Sequence, residues 1–182
     1  MEDIMPVMTR AAERTAGLVR AVRPEQFGSP TPCEKFDVEK LVNHLEWVAE
    51  MFESLGRGGP ALEQGPYAGD FPERAERMLA VWSRPEAWEG VSPAMGLPMT
   101  ALAHMFLVDM VVHGWDLARA TGQEYEPDPE AVARALAFTD QMVEMGRRRG
   151  VFGPPVAVPQ DARPFDRLLG LIGRDPAWIP SS

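Results

Sequence analysis

The segment from Met99 to Gly122, MTALAHMFLVDMVVHGWDLARATG, constrains this chain more than any other. It is almost wholly apolar up to Asp109 and stays apolar on every side of a helical wheel, which suits a helix surrounded by other helices. Thr121-Gly122 supplies the expected stop, a glycine just past the last turn. Charge interrupts every apolar stretch well before the ~18 consecutive residues that a bilayer span needs. The segment is therefore expected at the centre of a folded core, with no membrane partner.

Helical periodicity recurs on either side. Ile4, Met8, Ala11, Ala12, Thr15, Leu18, Val19 and Val22 define a first helix over residues 4–22. RPEQFGSPTPCEKF, with three prolines and a glycine, reads as an irregular crossover. Asp37 reads as the N-cap of a second helix running to about Leu55 and ending at Gly56, with Val38, Leu41, Val42, Leu45, Val48, Met51 and Phe52 on one face. After the loop GRGGPALEQGPYAG, the residues Asp70, Pro72 and Glu73 open a third helix through about Ser83, with a capping box expected. Residues 84–98 are broken by proline and glycine and read as an extended crossover or a minimal hairpin, with Trp88 and Val91 offering packing. Asp128-Pro129-Glu130 starts a fifth helix to about Arg148, turning Val132, Leu136, Phe138, Met142 and Met145 inward. PFDRLLGLIG makes a short closing helix stopped at Gly173. The expected fold is all-α: four main helices around one core, long Pro/Gly-rich crossovers and a short C-terminal helix, in a single domain spanning 1–182.

Composition narrows the function classes. With 18 basic against 27 acidic residues the net charge is −9, so a nucleic-acid groove would work against the overall field. The single Cys33 excludes an intrachain disulfide, and the start MEDIMPVMTR has neither the basic nor the long apolar part of a secretory signal. A cytoplasmic location is the expectation.

Three histidines carry the chemical interest. Asp109 and His113 are four apart, so on a helix their side chains differ by only ~40° in azimuth and reach one small ion across a single turn. His44, from the facing second helix, would be the third ligand of a divalent metal, leaving coordination positions open for water or substrate. His104 lies ~140° from Asp109 around the helix and points elsewhere. Spacing alone leaves open a simple carboxylate–histidine hydrogen bond or a satisfied core histidine. Asp116, on the same face, is placed to orient His113 or to accept from Arg119, with a structural helix-to-loop salt bridge as the commoner use of such a residue. Trp47 and Trp115, three and two positions beyond a candidate ligand, are candidate walls for the site. Cys33 reads as a small buried residue, and Arg147, Arg148 and Arg149 as complements to a helix C-terminus.

Three stretches carry a family resemblance: TPCEKFDVEKLVNHL, VDMVVHGWDLARATG and FGPPVAVPQDARPFDRLLGLIGRDPAW. Over nearly its whole length the chain resembles the actinobacterial, mycothiol-dependent maleylpyruvate isomerase-like branch of the DinB/YfiT-like metal-binding proteins. The resemblance implies an up-down-down-up four-helix bundle. It also implies a metal held by a histidine in the second helix and by an acidic residue and a histidine four apart in a later helix, positions that match His44, Asp109 and His113. Asp109 stands where the characterised isomerase has glutamate, and the additional C-terminal domain of that enzyme is not expected here.

The resemblance implies a divalent-metal-dependent enzyme, with zinc first and nickel, iron or manganese as alternatives, in which the ion activates a thiol such as mycothiol toward a small electrophile for transfer, addition or isomerisation. A non-catalytic metal- or small-molecule-binding bundle and a metal-assisted hydrolase are the competing expectations. Bundles of this kind pair through apolar helix faces, so a homodimer is expected.

Overall fold

The computed structural model describes residues 4–180. Its helices are α1 (Met5–Arg20), α2 (Val38–Gly56), α3 (Phe71–Trp82), α4 (Met99–Thr121), α5 (Pro129–Arg148) and α6 (Pro164–Leu171), with short 3₁₀ turns at Pro24–Gln26 and Pro85–Trp88. Among the described residues there is no β-strand, only two isolated antiparallel bridges, Pro30 with Asp37 and Val91 with Pro98. No helix among these residues is long and apolar enough to cross a membrane.

Local chemistry accounts for most boundaries. Asp37 caps α2 by accepting from the Lys40 N–H at 2.9 Å, and Asp128 caps α5 by accepting from Glu130 and Ala131 N–H. Gly122 takes the left-handed conformation at φ 69° and ends α4, which a side chain at that position would oppose. The capping box expected at α3 does not form: the Asp70 carboxylate is drawn to the Arg74 guanidinium one turn on, and no side chain caps the helix start. α1 ends at Arg20, two residues early, because Pro24 follows closely.

Side-chain contacts fix the helix directions. Glu46 of α2 accepts from Ala68 and Asp70 N–H at the start of α3, and Phe52 O near the end of α2 accepts from Trp82 Nε1 at the end of α3, so these two helices run parallel. α4 runs antiparallel to α2, since His44 meets His113 while Phe52 meets Phe106. The Thr15 hydroxyl lies 3.1 Å from Met110 O, and Gln26, just beyond α1, donates to Thr121 O at the end of α4, so α1 and α4 are parallel. The bundle is up-down-down-up. α2 packs on α3 and α4, α1 packs on the same two, and α4 also carries α5.

Leu102, Phe106, Leu107, Met110 and Leu117 of α4 are fully buried among Met8, Leu41, Leu45, Phe71 and Met78. The inward face of α5 matches expectation at Val132, with Leu136 and Phe138 packed at the core edge, and differs at the remaining positions. Ala131, Val132, Ala135, Thr139 and Val143 are buried, while Leu136, Phe138, Met142 and Met145 are half-buried flanks. Small side chains let this outer helix approach α4, and larger ones close the seam. Residues 84–98 form the minimal hairpin: Ser92 N–H donates to Leu97 O and Met99 N–H to Gly90 O. Ala87 is buried there, whereas Val91 remains 58% exposed and contributes little packing.

Asp128 joins capping to tertiary contact, because it also receives Arg10 Nε of α1 at 2.6 Å. Asp128→Ala is expected to cost about 1 kcal/mol from the lost cap, or somewhat more. Urea denaturation should show a lower midpoint with an unchanged slope, and an unaltered midpoint would contradict the capping role.

Candidate metal centre

α2 and α4 face each other where His44 meets His113, with ring centroids 4.9 Å apart. One ligand atom each from His44, Asp109 and His113 can be chosen so that all lie within 4.8 Å of one another, a spread that one cation between them would bridge. His113 Nε2 is 3.7 Å from Asp109 Oδ1, too far for a hydrogen bond, and no hydrogen bond to the Asp109 carboxylate is found among the described residues. The bland alternative of a simple Asp109–His113 hydrogen bond is therefore not what the geometry holds.

His113 is fixed from behind. Its Nδ1 lies 2.9 Å from Asp116 Oδ2 and must donate, because an ionised carboxylate can only accept. This sets the tautomer and turns the Nε2 lone pair toward His44 and Asp109. Asp116 is fully buried and also receives Arg174 Nε at 3.2 Å and Nη2 at 3.0 Å. Arg119, the partner considered from sequence, instead donates to Trp178 O and lies over the Trp115 ring.

Arg174 had no sequence signal: it follows α6, far from α4 in the chain. It is delivered by Gly173, whose φ is 90° and where a Cβ would come within 2.8 Å of Gly153 Cα and Pro154 O. Only glycine fits both the backbone angle and that approach.

Burial shapes the charges. Desolvation, followed by the His113 and Arg174 charges, drives the His44 pKa down to about 3, so its imidazole is neutral and ready to ligate. Asp109 is pushed up to about 6 by burial, against the opposing pull of His113 and Arg174, although 29% of its side chain faces open cavity space. Burial also acts to raise Asp116, but the His113 hydrogen bond and then the Arg174 charge outweigh it, and the net shift is downward. A neutral imidazole beside a carboxylate that ionises reluctantly without a partner is a donor set suited to a cation.

These groups open into a cavity of about 410 Å³ between α2 and α4. Phe36 stacks on His44 at 5.0 Å and meets His113 edge-on, and Trp47 walls the cavity while its Nε1 donates to Leu62 O. Trp115 is not part of this wall. It faces a separate depression with Arg119, Tyr125 and Phe165, because it sits two residues past His113 on the turning helix. His104 is elsewhere too, bonded to Thr100 O and stacked on Phe138. Cys33 is buried in the cavity wall and burial raises its thiol pKa. Of the arginine run, Arg147 binds Leu171 O at the end of α6, and Arg149 reaches the cavity rim.

Sequence reasoning missed Arg174, which supports the site, and Glu46, which is 1% exposed and anchors the loop before α3 through two backbone N–H groups. Glu46 left a faint signal as an acid inside the apolar arc of α2.

Two measurements follow from this electrostatics. A histidine with a depressed folded pKa contributes stability that is complete above its ordinary value of 6.5 and is lost as pH falls toward about 3. In chelator, the wild type should lose about 2 kcal/mol relative to His44→Gln between pH 6.5 and 5. Parallel urea-stability profiles for the two proteins would contradict the buried, neutral state of His44. Arg174→Met strands Asp116 as a buried, half-partnered charge and should cost about 3 kcal/mol, read from thermal or urea unfolding. A cost near that of a surface substitution would show that the pair contributes nothing.

Comparison with known proteins adds to this geometry. The family described as "Mycothiol maleylpyruvate isomerase N-terminal domain" matches residues 8–72, which include His44. Two curated relatives from Mycobacterium tuberculosis, "Uncharacterized protein MT0763" and "Uncharacterized protein Rv0738", are each 30% identical over 183 residues, covering 94% of this chain and 98% of theirs. No solved structure matches significantly.

Proposed function

Because the chain belongs to the family of the mycothiol maleylpyruvate isomerase N-terminal domain, we propose that it is a divalent-metal-dependent enzyme that activates a thiol, mycothiol in the first instance, toward a small electrophile. The observation that carries this reading is the convergence of His44, Asp109 and His113 on one point at a cavity wall. A bound divalent cation, zinc by the donor types, would supply Lewis acidity that stabilises a thiolate near neutral pH.

The chain's own residues do the rest. His44 and Asp109 present a neutral nitrogen and an anionic oxygen from opposing helices. His113 completes the set with Nε2, while Asp116 holds its Nδ1 proton and Arg174 keeps Asp116 ionised. Phe36 and Trp47 restrict water around the donors, which strengthens every charge interaction there. The candidate set numbers three donors among the described residues, leaving positions for an exogenous ligand. That count favours catalysis over a purely bracing ion, which a closed shell of four would suit better.

Elemental analysis should return one metal ion per chain for the wild type and a small fraction of that for His44→Ala and His113→Ala. On the cobalt-substituted protein, added mycothiol should produce a thiolate-to-cobalt charge-transfer band in the near ultraviolet. Equal metal content in all three proteins would overturn the three-ligand centre, and a cobalt spectrum indifferent to thiol would overturn the thiol-activating role.

A further inference from the structure

The cavity at the metal centre is amphipathic along its length. Its polar atoms gather at one end, where His44, Asp109, His113 and Arg174 lie with the exposed Lys35 and Arg149 at the rim. Away from that end the lining changes. Met51, Phe52 and Leu55 follow on α2, Met105, one turn before Asp109, on α4, and Met95 on the hairpin before α4. At 1.5 Å per residue, Met51 to Leu55 stand ~10–16 Å along α2 from His44. Within that arm no charged side chain and no hydroxyl lines the cavity among the described residues.

From this segregation we propose that the substrate is an amphiphile with a compact polar head, which ligates the ion, and an apolar body of several carbons, which lies in the arm between α2 and α4. The inference rests on the metal-centre reading above and adds the substrate's chemical class. A small dianionic acid would sit at the polar end and leave the arm empty, and a diacid long enough to enter the arm would place its second carboxylate among methionine and phenylalanine side chains, where nothing compensates its desolvation. An apolar body gains from burial there, and methionines at positions 95 and 105, with flexible unbranched side chains, adapt to its shape. Lys35 and Arg149 add a positive rim to a chain of net charge −9, which favours approach of an anionic head.

The test uses alkyl hydroxamates, whose heads chelate divalent metals, on the full-length cobalt-loaded protein. Affinities of acetohydroxamate, hexanohydroxamate and octanohydroxamate would be read from the cobalt absorption spectrum below micellar concentrations. Full burial tightens binding about fourfold per methylene, so the four extra methylenes of hexanohydroxamate should tighten binding by up to about 250-fold over acetohydroxamate, and by about sixteenfold if only two of them are buried. Met105→Trp, which fills the arm from α4, should abolish that gain. Met95→Trp does the same from a loop and makes a smaller demand on folding. If all three hydroxamates shift the spectrum with equal affinity, the metal centre stands and the apolar-substrate proposal falls. If chain length tightens binding equally in wild type and both tryptophan variants, the tail binds elsewhere and the proposal also falls. If none shifts the spectrum, the metal centre fails and takes the proposal with it.

Discussion

Asp116 is the carboxylate on which the functional end of this molecule depends. It has no solvent exposure, and it accepts from His113 on its own helix and from Arg174 on the segment after α6. One residue thereby does two things: it orients an imidazole toward the cavity, and it ties the segment after α6 to α4. Taking such a group out of water is unfavourable unless its partners are charged and well placed, so the Arg174 contact and the orientation of His113 depend on one carboxylate. Gly173 is a condition for this, since its positive φ and its contact with Gly153 allow Arg174 to reach Asp116 at all.

The cavity combines opposing electrostatic demands. His44 is kept neutral by burial and by neighbouring positive charge, while Asp109, close by, receives no hydrogen bond among the described residues that would make its charge comfortable. Without a cation the arrangement leaves a reluctant anion beside neutral donors, and with one the same desolvation strengthens each attraction. That exchange separates this triad from the surface ion pairs elsewhere, such as Arg57 with Glu53, which gain little because water screens them.

How legible each part was follows from the distance over which its cause acts. Asp37 and Asp128 were recognisable as caps because capping involves a side chain and an N–H two or three residues on. The Asp109–His113 pairing was recognisable because both belong to one turn. Asp70 misled for a comparable reason: a competing arginine one turn away takes its carboxylate, and cap chemistry alone does not rank the two. On α5 the hydrophobic scale favoured the larger side chains for the inner face, whereas close helix contact selected Ala131 and Ala135. The resemblance stretches lay on α2, α4 and the C-terminal segment, which are the elements that build the site, yet Arg174 inside one of them showed no spacing that marked a role.

By itself the sequence determined an all-helical chain, most helix limits, a buried α4 and two candidate ligands sharing one face. These properties are periodic or local, and backbone geometry transmits them over three or four residues. Only the tertiary structure decided that His44 meets that face and that Arg174 braces it through Asp116. It also sent Trp115 to another depression and divided the cavity into a polar end and an apolar arm. Those outcomes join residues tens of positions apart, and they depend on how a ring of packed helices closes.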